Sequence, residues 1–156
     1  MESNNLKQAL AVLKKNGYRI TQTRKEIIRL LIQSQKELSP QNIHTFLTEN
    51  EYQIDRVSVY RIIETLYENH LIHKTSSGKI IWCSKIHSPS PLTSAHTFYY
   101  LKCSICSRVN ETSDLSLNSN IQSLAIKHQF ILQESTVEIK GICSLCQTQK
   151  KLETRG

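Results

Sequence analysis

The sequence predicts an α+β chain in two parts: short helices closed by a hairpin, then a smaller strand-rich unit clipped by a metal ion. Three observations predict it. Apolar residues recur at helical spacing through the first half. A strand–turn–strand pattern follows from Ile72 to Trp82. Two Cys-x-x-Cys pairs, Cys103/Cys106 and Cys143/Cys146, then stand thirty-six residues apart in the second half.

In the first helix Leu6, Ala9, Leu10 and Leu13 share a face, and Gly17 is a fitting terminator. Thr21 can cap a second helix whose inner face carries Ile27, Ile28, Leu31 and Ile32. Ser39-Pro40 is a cap-then-proline start, followed by the stripe Ile43, Phe46 and Leu47. Asp55 opens a fourth helix, from Arg56 to about Asn69, with Val59, Ile62, Ile63 and Leu66 inward. Its opposite face offers Arg56, Ser58, Tyr60 and Arg61. Ile72-His73-Lys74, Ser76-Ser77-Gly78 and Lys79-Ile80-Ile81-Trp82 make a short hairpin with a basic tip.

Helices followed by a hairpin form a winged helix-turn-helix, whose last helix before the wing enters the major groove. Arg, Lys, Ser and Tyr supply contacts to phosphate and base edges. A helical protein-interaction domain with solvated charges has the same pattern. The predicted organisation is a winged-helix unit over 1–84, a Ser- and Pro-containing hinge over 85–97 and a zinc-binding unit over 98–150. In the last, strands are expected at Phe98–Leu101, Val109–Thr112 and Phe130–Lys140, with a helix over about Leu117–Lys127.

Each cysteine pair follows a strand, the usual place of a zinc knuckle. A two-residue spacer lets both sulfurs reach one ion, and zinc takes four thiolates tetrahedrally. Iron–sulfur and redox-active dithiols are the competing uses of such pairs. A fifth cysteine, Cys83, stands outside the set. The N-terminus lacks a secretory pattern and no apolar run reaches the ~18–20 residues of a membrane span. A reducing cytoplasm and metal ligation are therefore expected, with no membrane partner. The net charge of +7 divides as +4 on residues 1–82 and +3 on 83–156, which permits a polyanionic partner without selecting one.

These residues resemble the ferric uptake regulator family of metal-sensing repressors. The helix-start motif appears as Gly17-Tyr18-Arg19-Ile20-Thr21-Gln22-Thr23-Arg24, the recognition-helix motif as Val59-Tyr60-Arg61-Ile62-Ile63, and the paired cysteines as Cys103/Cys106 and Cys143/Cys146. The resemblance, from about Leu10 to Cys146, implies a homodimer reading a partly palindromic, A·T-rich DNA operator. It makes the C-terminal unit the dimerisation domain, and Arg19, Arg56, Ser58, Tyr60, Arg61 and Lys79 the DNA contacts.

The resemblance also bears on which metal is sensed. The iron- and peroxide-sensing branches end the wing strand in a carboxylate ligand and carry a His-x-His cluster before the first cysteine pair. Here Cys83 takes the carboxylate position and only His96 stands before the pair. The zinc uptake regulator branch is more similar, and it implies a regulatory zinc site of His73, Cys83, His96 and Glu111 beside a structural zinc on the four paired cysteines, two ions per chain. A thiolate ligand favours zinc, whereas histidine with carboxylates suits ferrous iron or manganese.

The stretch from Cys83 to His96 departs from that branch in length and contains Pro89 and Pro91. His87 in it is an alternative ligand, and His128 resembles an accessory ligand of the iron branch. The function expected is a zinc-responsive repressor of zinc-uptake genes, with an iron or peroxide sensor as the alternative. A zinc hydrolase or thiol redox enzyme is disfavoured, because a four-cysteine site leaves no open position and no His-Glu-x-x-His is present.

Overall fold

The computed structural model describes residues 2–84, 97–112, 114–132 and 135–153. The chain divides into two compact units, Met1–Ser88 and Pro89–Gly156. The expected hinge, 85–97, lies outside the described residues except at Thr97.

The first unit contains α1 (Glu2–Lys15), α2 (Gln22–Gln33), α3 (Pro40–Glu49) and α4 (Arg56–Glu68), then β1 (Ile72–Lys74) and β2 (Ile80–Trp82). Local chemistry starts α2, α3 and α4 where a side chain can satisfy the first free N–H groups. Thr21 accepts from the N–H of Arg24, Asp55 from that of Ser58, and Ser39 exchanges bonds with Asn42 in a capping box. α1 stops at Gly17, which takes φ +80°, while the Tyr18 N–H returns to the Leu13 carbonyl at 2.9 Å. Ala9, Leu13, Ile27, Ile28, Leu31, Ile43, Leu47, Val59 and Leu66 then meet in one core, each no more than 1% exposed. Truncating one of the larger members, Leu66→Ala for example, would cost about 2–5 kcal/mol.

The wing is antiparallel, with Ile72 opposite Trp82 and Lys74 opposite Ile80. Leu38, between α2 and α3, makes an isolated antiparallel bridge to β2, exchanging hydrogen bonds of 2.9 and 2.8 Å with Ile80. The hairpin is thereby tied to the helical core as well as to itself. Gly78 takes φ +73° in its turn.

The second unit contains β3 (Thr97–Cys103), β4 (Val109–Thr112), α5 (Leu115–Lys127), β5 (Ser135–Gly141) and α6 (Ser144–Glu153). The sheet order is β4-β3-β5, with β3 antiparallel to β4 and parallel to β5. α5 and the segments flanking it carry the chain from β4 at one edge to β5 at the other, and the Tyr99 hydroxyl reaches Asn118 of α5 at 3.3 Å. Relative to expectation, the last strand starts at Ser135 rather than Phe130, and α6 was not anticipated.

Candidate metal centres and nucleic-acid interface

Strand register brings the two cysteine pairs together. β3 and β5 run parallel with Cys103 opposite Gly141, so both strands end at the same edge of the sheet. Cys143 follows two residues later, and Cys146 lies in the first turn of α6. A tight turn, with the Ser107 N–H on the Cys103 carbonyl at 3.0 Å, folds Cys106 back beside Cys103.

All four sulfurs lie within 4.8 Å of one another. Zinc–sulfur bonds of about 2.3 Å in a tetrahedron put sulfurs about 3.8 Å apart. Cys106 Sγ and Cys143 Sγ are 3.7 Å apart, so the donor set fits that ion with little movement. Backbone N–H groups of Cys106 and Cys143 bring the Cys103 thiol down to about 6, while burial pushes Cys146 up to about 12. That lowering favours the thiolate of Cys103, the form in which a sulfur binds a cation.

A second pair of donors stands on the wing. His73 faces Ile81 across the hairpin, and Cys83 lies two residues beyond Ile81, so His73 and Cys83 are diagonal neighbours on one face. The Cys83 N–H extends the ladder to the Leu71 carbonyl at 3.0 Å, which fixes that placement. The ligand atoms of His73 and Cys83 lie within 4.8 Å, and Cys83 is buried. Glu111 stands half-buried on β4, paired with Tyr100. His96 and His87 lie outside the described residues. His128 ends α5 as its C-cap and is exposed, and among the described residues it joins no cluster of metal-ligating groups.

The α4 surface differs in detail from the sequence reading. At about 100° per residue, Val57, Tyr60, Arg61 and Glu64 span an arc of about 100° opposite the buried Val59, Ile62, Ile63 and Leu66. All four are exposed, Val57 and Tyr60 each at 58%. Arg56 is exposed at the margin of this arc. The Ser58 hydroxyl is already committed, donating to Asp55 at 2.6 Å, and that bond holds the Asp55 carboxyl below its usual range. Val57 was passed over because polarity selected the candidates, and Glu64 because it lies beyond the first turn and a half from which they were taken.

Arg19 is exposed, and its carbonyl accepts from Arg24, whose guanidinium lies 5.7 Å from the centre of the Tyr18 ring. Arg24 therefore braces the turn between α1 and α2. At the wing, Lys79 is 3.3 Å from the buried Glu37 carboxylate, which also accepts from Ser77 at 3.0 Å. Glu37, forty residues upstream of Ser77, went unnoticed in the sequence because only the fold brings them together.

Among the described residues no helix is long and apolar enough to cross a membrane. The zinc uptake regulation protein of Escherichia coli (strain K12) is 28% identical to this chain over 142 residues, covering 90% of this chain and 80% of that protein. The ferric uptake regulation protein of Bacillus subtilis (strain 168) is 23% identical over 135 residues, covering 86% and 89%. Among solved structures, a zinc uptake regulator complexed with zinc and DNA superposes with a TM-score of 0.82 at 26% identity, covering 97% of this chain and 98% of that one. The family model described as the ferric uptake regulator family matches residues 15–140. Motifs, four-cysteine cluster, fold and family match agree, and the chain belongs to the ferric uptake regulator family.

Proposed function

We propose that this chain is a zinc-responsive, DNA-binding repressor that closes zinc-uptake genes, acting in the cytoplasm as a homodimer on an A·T-rich, partly palindromic operator. It is a transcription regulator and not an enzyme. The observation that carries the metal assignment is Cys83 beside His73 on the wing. A buried cysteine sulfur is a soft donor suited to zinc, whereas ferrous iron and manganese prefer histidine with carboxylates. Two ions serve each chain in this reading. Cys103, Cys106, Cys143 and Cys146 hold the structural one; His73 and Cys83, completed by His96 and Glu111, hold the regulatory one.

Residues 1–84 act as the DNA-binding domain, 85–97 as the hinge and 98–150 as the dimerisation domain. Support for a partner copy comes from apolar side chains left in water near the end of α5: Ile126 at 76%, Phe130 at 72% and Ile131 at 92% exposure. Regulatory zinc favours the DNA-binding form only as far as it binds that form better than the alternative. The direct test is fluorescence anisotropy of a promoter fragment from a zinc-import gene. Zinc should tighten binding and a chelator should reverse it, while ferrous iron should not substitute. Tightening by iron and not zinc would transfer the protein to the iron-sensing branch.

Arg19, Arg56, Tyr60, Arg61 and Lys79, with Ser58 shaping the start of α4, make the DNA contacts in this proposal. Lys79 has two roles that can be separated. Lys79→Met should remove one phosphate contact, lowering the slope of log affinity against log salt by about 0.9. It should also take the ammonium away from the buried Glu37 carboxylate and cost about 1 kcal/mol of stability, since Lys79 is itself half-exposed. Adding Glu37→Gln should restore the melting temperature but not the salt slope. Recovery of both, or of neither, would contradict this division.

A further inference from the structure

Val57 is an apolar side chain at the centre of the outward face of α4, beside the Tyr60 ring one turn on, and both are more than half exposed. Nothing about folding explains it. The core of this unit is complete on the opposite side of the helix, in Val59, Ile62, Ile63 and Leu66. Alanine would hold an exposed helical position better than a β-branched residue. Exposed arginines, Arg56 and Arg61, flank the pair, which favours a polyanion over a protein as the surface that covers it.

We infer that Val57, beside Tyr60, reads a thymine methyl group in the major groove and so sets base preference at one operator position. This rests on the DNA-binding reading above. The major groove offers hydrogen-bond donors, acceptors and one apolar group, the thymine C5 methyl. A valine can neither donate nor accept. Held against a base edge it strips water from any donor or acceptor it covers without replacing the lost bond, whereas against the methyl it loses nothing. Its preference for thymine therefore combines attraction with a penalty on the other bases. Arg56 and Arg61 on either side would anchor the helix to phosphate or guanine and hold the apolar pair at a fixed depth.

The test uses the full-length, zinc-loaded protein and a duplex that it selects in vitro from a random pool. That duplex is resynthesised with deoxyuridine for thymidine, one position at a time, which deletes the methyl and changes nothing else on the groove edge. Wild type should lose about fourfold in affinity at each methyl that is covered. Val57→Ala should become indifferent at one of these positions while keeping its melting temperature and salt slope. Val57→Thr, which retains a methyl, should keep the sensitivity. Equal deoxyuridine penalties in wild type and Val57→Ala, or no penalty in either, would overturn the assignment while leaving DNA binding intact. Failure to select any duplex in the presence of zinc would instead remove the DNA-binding reading and this inference with it.

Discussion

Cys143→Ser is expected to unfold the second unit while the first continues to melt as a cooperative domain. Among the described residues the two units bury very different amounts of apolar side chain. Fourteen buried residues form the core of the first; among the described residues of the second only Phe98, Tyr99, Tyr100, Ala125 and two of the cysteines are buried apolar groups. A unit so thinly packed needs an external constraint. The four sulfurs supply it by joining the end of β3 to the start of α6, and structural zinc sites contribute about 10–16 kcal/mol to folding. That exceeds the whole stability of a typical domain of this size. A serine hydroxyl is a poor zinc ligand, and its neighbours would be left as an incomplete set. The expected record is loss of zinc from the purified protein, a monomer by sedimentation, and one thermal transition where wild type shows two. A mutant that keeps its second transition within a few degrees of wild type would show that the sheet stands without the ion.

The parts of the fold that could be read from the sequence are those set by neighbours along the chain. Thr21, Ser39 and Asp55 each became the N-cap expected of them, because an N-cap bond spans only three residues. Helix ends were harder. Gly17 announces one stop, but α3, α4 and α5 are followed by Glu51, His70 and Gln129 at φ +64°, +54° and +58°. Histidine is enriched in the left-handed region, but neither glutamate nor glutamine signals such a turn. The third misled most. Gln129 turns the chain so that the Phe130 N–H returns to Ala125 at 2.8 Å, and Phe130–Ile131 becomes an exposed exit instead of the start of β5. α6 has no apolar stripe beyond Leu145, Cys146 and Leu152, so periodicity could not reveal it.

The candidate sites divide the same way. Cysteine spacing exposes the four-sulfur cluster, since each pair is local and two pairs have few other uses. The closeness of His73 and Cys83 depends on hairpin register, which their ten-residue separation does not specify; the resemblance to a zinc-sensing branch supplied it. Glu37 under the wing and Val57 on α4 were missed for opposite reasons. The first acts across forty residues, and the second is an apolar residue in a place where polar ones were sought.

Cys83→Ser should convert the protein into a regulator indifferent to zinc. The change is nearly isosteric and leaves the backbone bond from residue 83 to Leu71 intact, so the hairpin should persist. What goes is the only thiolate of the proposed regulatory site, and with it most of the affinity for a soft ion. Couplings between an effector and its binding partner commonly run from about 5-fold to 150-fold. The zinc-induced gain in DNA affinity should fall from that range to about one. Zinc content should drop from two ions per chain to one, the survivor being the ion that resists a graded chelator. His73→Gln should act in the same direction, and because it lies on the other strand of the hairpin it separates loss of a ligand from damage at the end of β2. Dimer formation and the melting of the second unit should be unchanged in both variants, which distinguishes them from Cys143→Ser. An undiminished zinc response in Cys83→Ser would remove Cys83 from the site, and with it the chemical reason for preferring zinc over iron. One zinc ion per chain in wild type, held as tightly as the structural ion, would remove the regulatory site altogether.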